Sequence, residues 1–365
     1  MPTVPRVRSL DVFRGLTVAG MVIVNNPGDW STVYWPLLHA EWNGWTPTDL
    51  IFPFFLFIVG VSITLTTKPV TALTILRRGA IIWGLGLLLA GFPFFRLSTV
   101  RIPGVLARIA WCYVAAALLV RAAEGGRARH RLIGIATAVL LVAYWILLTA
   151  IPFPGGTAGD LTPAGNIGAW LDRALLRGHL WKPEWDPEGI LSTLPAIGTT
   201  LLGVLAGWFI RHEQSPRRAV RGLLLWGLAG VAAGLTVSPL LPINKSLWTS
   251  SYVLFTGGLA SGMLAVCYWV CDVNPTDVVR RMTEPFVALG RNAILLFVLS
   301  GLLARTLIYL EWPDPSMSLG RWIYTHAFLP VAPPHVASLL FALANLAVLY
   351  ALLFVLHRKK IYLSV

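Results

Sequence analysis

The chain contains about ten apolar segments, each close to the length that a helix needs to cross a lipid bilayer. Such a helix requires about 20 mostly apolar residues. The segments lie at about 10–26, 48–67, 75–94, 104–121, 131–151, 190–210, 219–238, 248–270, 286–309 and 334–356. Only 12% of the 365 residues are charged, whereas a soluble domain is about one quarter charged. The sequence therefore predicts an all-α, polytopic integral membrane helix bundle that forms a single domain over residues 1–365.

The basic residues are distributed unevenly between the two alternating sets of loops. The richer set is Arg6, Arg8, Lys68, Arg77, Arg78, Arg121, Arg127, Arg129, Arg131, Arg211, Arg217, Arg218, Arg221, Arg280, Arg281, Arg358, Lys359 and Lys360. The poorer set is Arg96, Arg101, Arg173, Arg177, Lys182, Lys245 and Arg321. Because loops rich in Lys and Arg stay in the cytoplasm, we predict that both termini are cytoplasmic. The net charge of +13 then reflects topology and contact with anionic membrane lipids, and nucleic acid is not expected as a partner.

The longest segment between apolar stretches is 152–189, which is rich in Pro, Gly and Trp. We predict that it forms an external loop segment over the bundle, on the side opposite the termini. The three cysteines, Cys112, Cys267 and Cys271, lie in or beside apolar segments. Their positions predict neither a disulfide framework nor a metal site.

His39 is the residue that most clearly points to chemistry. It lies between the first two apolar segments, near Asn25, Asn26 and Asp49 in the sequence. Imidazole can take and return a proton near neutral pH, and polar groups at membrane depth are often functional. His39 is therefore a candidate catalytic residue, and the alternative is an interfacial hydrogen-bonding role. Asn25 and Asn26 either bridge helices or donate to a developing oxyanion.

Charged and polar residues in or beside the apolar segments are candidates for binding an anionic ligand. Asp11 and Arg14 share one helical face and either form an internal ion pair or present Arg14 to a phosphate, which a guanidinium binds with two parallel bonds. Arg108 lies just inside the fourth segment, where an Arg must be paired or face water. Asn292 begins the ninth segment. We assign these four residues to donor binding.

Other charged residues lie on the same predicted side as His39. Asp186 and Glu188 open the sixth segment, where they either cap the helix or bind an amine. Lys245 precedes the eighth segment, where the alternative is that its ammonium reaches the interface. With Asp49, these residues are the candidates for substrate binding. The chain has no Walker-type phosphate loop, no HExxH and no GxSxG, so ATP hydrolysis within it is not expected.

Several motifs together resemble one enzyme family. They are RSLDVFRG at 8–15, MVIVN at 21–25, HAEWNGWTPTDLIFP at 39–53, GVLARIA at 104–110, DPEG at 186–189 and NKSLW at 244–248. The chain is similar to heparan-α-glucosaminide N-acetyltransferase and its bacterial NagX-type homologues. The first blocks are specific, and the later ones would be weak alone.

The resemblance implies that acetyl moves from cytoplasmic acetyl-CoA to the amine of an amino sugar across the membrane, without a metal. The functional His of the family corresponds to His39, and its nearby Asn corresponds to Asn25 or Asn26. His39 then acts as a base in direct transfer, which we favour, or becomes acetyl-imidazole in a ping-pong reaction. The implied location is the bacterial inner membrane. A homodimer is left open, as is the identity of the acceptor.

Two other functions fit parts of the pattern. A sugar or glycan transporter would use the same polar bundle without making a bond. An O-acetyltransferase for envelope glycans would share the donor and differ in the acceptor. Binding of acetyl-CoA and release of free CoA separate the transporter from the two transferases.

Overall fold

The computed structural model describes residues 7–66, 70–123 and 129–362. Within these ranges the chain is helical with connecting loops, and its β-structure is limited to an isolated bridge between Phe153 and Gly156. The predicted all-α class is thereby confirmed. Arg6, Lys68 and Arg127, which contributed to the count of basic residues, lie outside the described residues.

Thirteen α-helices form the described part of the fold. The first seven are α1 (Arg8–Asn25), α2 (Ile51–Leu65), α3 (Ala72–Gly91), α4 (Val105–Ala122), α5 (Arg129–Ala150), α6 (Ile167–Leu176) and α7 (Thr193–His212). The others are α8 (Pro216–Val237), α9 (Ser250–Tyr268), α10 (Asp277–Arg291), α11 (Ala293–Tyr309), α12 (Leu319–Ile323) and α13 (Pro334–Arg358). Several begin at a side-chain cap, as in α3, α8 and α9, where Thr71, Ser215 and Thr249 accept a backbone N–H.

Eight helices in the described ranges are long and apolar enough to cross a membrane, or nine if the bent pair α10 and α11 is one span. Every expected segment coincides with a helix, so the polytopic bundle is confirmed with eight or nine such spans instead of about ten. The difference comes from α1, which carries Arg8, Asp11 and Arg14 within 18 residues. These side chains are tolerated because the helix packs inside the bundle, where α2, α9 and α10 cover it.

The central helix is α7, because 72% of its most apolar window is buried, against 22–28% for α3, α5, α8 and α13. The four outer helices expose apolar side chains, as expected for surfaces in contact with lipid. The helices α2, α4, α5 and α9 pack against α7. Residues of α1, α2, α4 and α9 therefore lie inside the bundle, where a polar site can be sheltered from lipid.

The predicted ninth segment, 286–309, is broken in the structure. The helices α10 and α11 meet at Asn292 with a bend of 75°. Asn292 is fully buried and has φ −120° and ψ 35°, which lie outside helical values. Sequence hydropathy does not register such a break, because apolar residues continue on both sides of it.

Close contact between α1 and α10 places this break near the bundle centre. A Cβ added at Gly15 would lie 1.9 Å from the carbonyl oxygen of Phe286, and one at Gly290 would lie 2.0 Å from that of Asp11. Only glycine permits this separation, which is the usual role of small residues between membrane helices. The contact brings Arg14 and Arg291 close to each other.

The two ends of the described chain meet at one end of the bundle, called here the terminal end. Glu284 contacts both Arg8 and His357, at 2.8 Å and 2.9 Å. The opposite end is called the His39 end. There, Gly44 donates to the carbonyl of Ile243, and Ile102 donates to that of His179. Both chain ends thus lie on one side of the bundle, and the assignment of that side to the cytoplasm stays a prediction.

The segment 152–189 lies at the His39 end and is partly ordered by a short helix that the sequence pattern did not predict. This helix, α6, begins at Asn166, whose side chain accepts the N–H of Ala169. Asp172 of α6 is buried and accepts the N–H of Ile190. The segment is therefore packed onto the start of α7 and forms one wall of the site described next.

Candidate functional site

The loop that carries His39 is fixed by a turn at its end. The 3-10 helix Pro47–Leu50 begins with a capping box, in which Thr46 and Asp49 bond to each other's backbone N–H groups. The Asp49 Oδ2 atom accepts the N–H of Ala40 and that of Thr46, both at 3.0 Å. The hydroxyl of Tyr252 donates to the Asp49 carbonyl at 2.5 Å. This network closes the loop from residue 40 to residue 49 and holds the Asp49 carboxylate below His39.

His39 and Asp49 form a hydrogen-bonded pair. The Nδ1 atom of His39 lies 2.7 Å from Oδ1 of Asp49. The His39 side chain is 48% exposed while that of Asp49 is 1% exposed. Because an ionised carboxylate can only accept hydrogen bonds, the proton of the neutral imidazole lies on Nδ1. The Nε2 lone pair therefore faces the open side, in the arrangement that orients a general base.

Lys245 completes this cluster from a position 206 residues away. Its Nζ lies 3.1 Å from Nε2 of His39, 2.9 Å from Nδ1, and 3.6 Å from Oδ1 of Asp49. The Lys245 ammonium therefore lies beside both ring nitrogens of His39. Burial lowers the pKa of Lys245, and the Asp49 carboxylate opposes that shift. The structure thus brings together His39, Asp49 and Lys245, three of the residues that the sequence singled out.

A cavity of about 480 Å³, called the His39 cavity, opens beside this cluster. It is lined by α1, α2, α4 and α11 together with the loops of the His39 end. Its polar and aromatic lining includes Asn25, His39, Glu41, Trp42, Asp49, Arg101, Trp181, Lys182, Trp185, Glu188, Lys245 and Ser246. A cavity of this volume, with a few convergent polar groups on an apolar frame, is typical of a small-molecule site.

The two neighbouring asparagines of α1 have different surroundings. Asn25 is exposed and lines the His39 cavity. Asn26 is buried, and its amide donates to the Val22 carbonyl at 2.7 Å and to the Ser300 hydroxyl at 3.2 Å. Successive residues of a helix point about 100° apart, so only one of the two can face the cavity. Asn25 can serve chemistry there, whereas Asn26 connects α1 to α11.

An ion-pair cluster fixes the far wall of the His39 cavity. Arg101 donates from Nε to Asp186 at 2.8 Å, and its Nη2 bonds to both Asp186 and Glu188. Although burial opposes its charge, the pKa of Arg101 is raised because these two carboxylates bond to it. Glu188 lines the cavity, and Asp186 lies behind it. The sequence did not single out Arg101 as a site residue, because its partners Asp186 and Glu188 lie 85 and 87 residues away.

A second cavity of about 280 Å³, called the arginine cavity, opens toward the terminal end. Arg14, Arg78, Arg121 and Arg291 line it, and there is no carboxylate among its described lining residues. Arg14 donates to the Ser62 hydroxyl at 2.7 Å and lies 3.4 Å from Asp11. The arrangement can bind an anion, and Ala293, the first residue of α11, lines the same space.

The remaining donor-binding candidates lie outside the described linings of both cavities. Asp11 is buried and contacts both Arg14 and Arg291. Arg108 is 1% exposed, lies over the ring of Trp248, and bonds to the Gly189 carbonyl and the Ser192 hydroxyl. Asn292 donates to the Ile361 carbonyl at 3.4 Å from its place in the helix break. These residues are positioned to support the walls of the cavities.

The two cavities share one wall in the bundle interior. Phe55, Ile109 and Ile294 line both of them. All three side chains are apolar, and they come from α2, α4 and α11. The bundle therefore contains a polar compartment toward each end, separated by a thin apolar partition.

Some residues of this arrangement were not identified from the sequence as site residues. They are Arg78, Arg121 and Arg291 of the arginine cavity and Trp42, Trp181 and Trp185 of the His39 cavity. Arginines near membrane boundaries and tryptophans near interfaces are common for reasons of topology alone. Only the folded bundle distinguishes these six cavity-lining residues from the other arginines and tryptophans of the chain.

Comparison with known proteins gives consistent matches. A family model described as heparan-alpha-glucosaminide N-acetyltransferase, catalytic, matches residues 6–240. Proteins named heparan-alpha-glucosaminide N-acetyltransferase from Homo sapiens and Mus musculus are each 31% identical to the chain, over 363 and 362 residues. Each match covers 80% of this chain, and it covers 52% of the human and 53% of the mouse protein. The chain thus spans about half the length of the curated relatives it matches.

Proposed function

The chain belongs to the heparan-alpha-glucosaminide N-acetyltransferase catalytic family, and from this premise we propose that it transfers acetyl from acetyl-CoA to the amine of an amino sugar. The observation that carries the proposal is the pairing of the two cavities. One holds an oriented imidazole, the other holds four arginines, and Phe55, Ile109 and Ile294 line both. A donor with an anionic end and a reactive end fits this pairing.

The His39 cavity is where we place bond formation. An amine attacks a thioester only in its neutral form, so a base must remove a proton from the ammonium. His39 is suited to this role because Asp49 holds the proton on Nδ1, which makes Nε2 the nitrogen that accepts another. The resulting imidazolium is stabilised by the buried Asp49 carboxylate, 2.7 Å away. The amine adds to the thioester carbonyl to form the C–N bond, and the C–S bond breaks as this tetrahedral adduct collapses. The sulfur takes up the second proton that the nitrogen loses, so CoA leaves as the thiol, and the first proton passes from His39 to solvent.

Asn25 is suited to assist the same step. As the amine adds to the thioester carbonyl, negative charge develops on its oxygen, and a fixed N–H donor stabilises that charge. The Asn25 amide lines the His39 cavity. Asn26 is committed to Val22 and Ser300. We therefore propose Asn25 as the oxyanion donor.

The arginine cavity is where we place the nucleotide end of acetyl-CoA. Its phosphates carry several negative charges, which guanidinium groups bind with paired hydrogen bonds. Arg14 and Arg291 are held at the α1–α10 contact, and Arg78 lies over the ring of Tyr113 at 5.4 Å. With the terminal end in the cytoplasm, as the basic residues predict, the donor enters from the cytoplasm and the acceptor from the opposite side of the inner membrane.

Direct transfer from acetyl-CoA to the amine is the mechanism we propose. It needs His39 only as a base, which matches its hydrogen bond to Asp49. An acetyl-imidazole intermediate is the alternative outcome of a specific test. Incubation with radiolabelled acetyl-CoA and no acceptor should leave His39 unlabelled after rapid quenching, whereas retained label with stoichiometric CoA release would establish the ping-pong route.

The function is tested by transfer across a sealed membrane. The chain is reconstituted in proteoliposomes, and acetyl-CoA is supplied on one side and glucosamine on the other. We expect N-acetylglucosamine on the acceptor side and free CoA on the donor side. Sugar uptake without CoA release would establish the transporter instead, and acetylation of hydroxyl sugars alone would establish an O-acetyltransferase.

Orientation is tested separately by labelling single introduced cysteines. The three native cysteines are buried, so the background should be low. A cysteine at position 158 should react with an impermeant reagent from outside intact cells, and one at position 214 should not. The reverse pattern would contradict cytoplasmic termini and entry of the donor from the cytoplasm.

A further inference from the structure

Three tryptophans form one wall of the His39 cavity. They are Trp42, Trp181 and Trp185. Building on the proposed transfer to an amino sugar, we propose that this wall is the acceptor subsite, and that it binds the pyranose ring by stacking against the indole faces. Tryptophans at a membrane interface usually face lipid headgroups, but these three line the cavity that contains His39.

The wall has the shape and exposure of a ring-binding surface. The Trp185 ring lies 5.2 Å from that of Trp42 and 5.5 Å from that of Trp181, with interplanar angles of 85° and 79°. Trp181 is 52% exposed. One face of a pyranose presents C–H groups, and the electron-rich face of an indole attracts such weakly positive hydrogens. The Lys182 ammonium lies 5.0 Å from the centre of the Trp181 ring and 5.6 Å from that of the Trp185 ring. A sugar ring therefore contacts the indole surface that this ammonium leaves open.

The wall is held in place without a ligand. The N–H of Trp181 donates to Asp186 at 2.8 Å, and the N–H of Lys182 donates to the Trp185 carbonyl at 3.2 Å. The Arg101 guanidinium donates to the same Asp186 carboxylate. The Trp42 indole N–H donates to the Leu161 carbonyl at 2.9 Å. A surface fixed in this way loses little conformational freedom when a ring binds, which favours affinity.

Lys245 indicates where the amine of the acceptor sits. Its Nζ lies 2.9 Å from Nδ1 and 3.1 Å from Nε2 of His39, so one cation is already accommodated beside this ring. An acceptor ammonium that gives its proton to Nε2 takes a place next to Lys245. Glu41 and Glu188 line the same cavity and offer carboxylates to a cationic sugar. With the amine at His39, the rest of the ring extends toward the tryptophan wall.

The test measures acceptor binding, so that it does not depend on catalysis. The full chain in lipid nanodiscs is titrated with glucosamine and with 2-aminoethanol, which keeps the amine and lacks the ring. Trp181→Ala and Trp185→Ala should each weaken glucosamine binding about tenfold, in keeping with the strength of aromatic contacts. Binding of 2-aminoethanol should be unchanged. Trp181→Phe should restore most of the affinity.

The control is Trp30→Ala, at an exposed tryptophan of the same end that is absent from the described lining of the cavity. It should bind both compounds as the unaltered chain does. Unchanged glucosamine binding by the Trp181 and Trp185 variants would overturn the subsite, as would equal weakening of both compounds or no glucosamine binding by the unaltered chain. A chain that binds glucosamine through these residues and fails to acetylate it would keep the subsite and overturn the proposed transfer.

Discussion

The His39 cavity and the arginine cavity occupy opposite halves of one helix bundle and differ in how their charges are arranged. In the His39 cavity, Asp49, Glu41 and Glu188 supply carboxylates, and the cations Arg101 and Lys245 lie against them. The arginine cavity is lined by four cations and, in its described lining, by no carboxylate. The first arrangement can position and deprotonate a group, whereas the second can hold a multiply charged anion.

Because the two cavities differ in this way, we expect mutations in them to have separable effects. Groups that act on the reacting atoms change turnover, whereas groups that hold a remote part of a substrate change its binding more than the chemical step. The apolar partition between the cavities keeps the two sets of side chains out of contact. A change in one cavity should therefore leave the function of the other nearly unaffected.

Replacing His39 should have the largest effect. His39→Ala removes the proposed base and should lower turnover of acetyl-CoA and glucosamine by roughly 10²–10⁴, the usual contribution of a positioned acid or base. Donor binding should be retained, because the arginine cavity is untouched. The measurements are steady-state turnover and the thermal shift given by acetyl-CoA. His326→Ala, at an exposed histidine of the same end, is the matched control. If His39→Ala turned over at nearly the rate of the unaltered chain, His39 would not be the base and its role would be structural.

Replacing Asn25 should have the next largest effect. Asn25→Ala should lower turnover by about 10²–10³, because an oxyanion donor of this kind contributes on that scale. Asn26→Ala is the neighbouring control. It removes buried bonds to Val22 and Ser300 and should lower the melting temperature while leaving turnover of the folded protein nearly unchanged. The opposite result, with activity lost only in Asn26→Ala, would show that the amide facing the cavity is not used.

Replacing Arg14 should reduce donor binding more than turnover. Arg14→Ala removes one charged contact, and hydrogen bonds of charged groups contribute about 1.5–3 kcal/mol. The acetyl-CoA concentration for half-maximal rate should therefore rise by roughly tenfold or more, with a smaller change in the rate at saturation. Arg218→Ala, at a largely exposed arginine, should leave both values unchanged. If Arg14→Ala lowered only the rate at saturation, the proposed assignment of donor binding to the arginine cavity and bond formation to the His39 cavity would be wrong.

The smallest predicted effect concerns Asp172, which packs behind the His39 cavity. Burial raises the pKa of Asp172 to about 6, and the N–H of Ile190 partly offsets the shift. A group whose folded pKa is raised stabilises the fold most at low pH, and that contribution is lost as pH rises through about 6. Between pH 5 and 7.5 the loss should be about 1 kcal/mol, taking 1.36 kcal/mol for each pH unit below the pKa.

Melting temperatures at the two pH values check this prediction. Asp172→Asn should remove that part of the pH dependence, so its melting temperature should fall less than that of the unaltered chain between pH 5 and 7.5. Asp160→Asn, at a half-buried carboxylate of the same segment, should follow the unaltered chain. An identical fall in all three proteins would mean that Asp172 does not titrate in this range.

The parts of the molecule that could be predicted from sequence are those set by local pattern. Hydropathy located the helices that are long and apolar enough to cross a membrane. The spacing of Asp11 and Arg14 gave an ion pair as one of two alternatives, and the two side chains lie 3.4 Å apart in the structure. The helix break at Asn292 was missed because apolar residues continue across it. Its non-helical conformation depends on the close packing of α10 against α1, which a linear pattern does not contain.

The candidate site was predictable only as a set of residue types. His39 and Asp49 are ten residues apart on one loop, but Lys245 and Arg101 reach their partners across 206 and 85 residues. The choice between Asn25 and Asn26 depends on how α1 is rotated in the bundle. That rotation is set by packing against α2, α9 and α10. Long-range contacts of this kind arise from the fold as a whole.

The partition formed by Phe55, Ile109 and Ile294 has a consequence for the membrane itself. A continuous file of water between the two cavities would let ions flow down the membrane potential, which is worth about 2.3 kcal/mol per charge per 100 mV. Apolar constrictions stop such flow because water leaves them readily. The largely uncharged part of acetyl-CoA that joins its nucleotide end to its acetyl end is narrow enough to pass between these three side chains. Hydrated ions are excluded. The bundle would then transfer an acetyl group from one side of the membrane to the other without conducting ions.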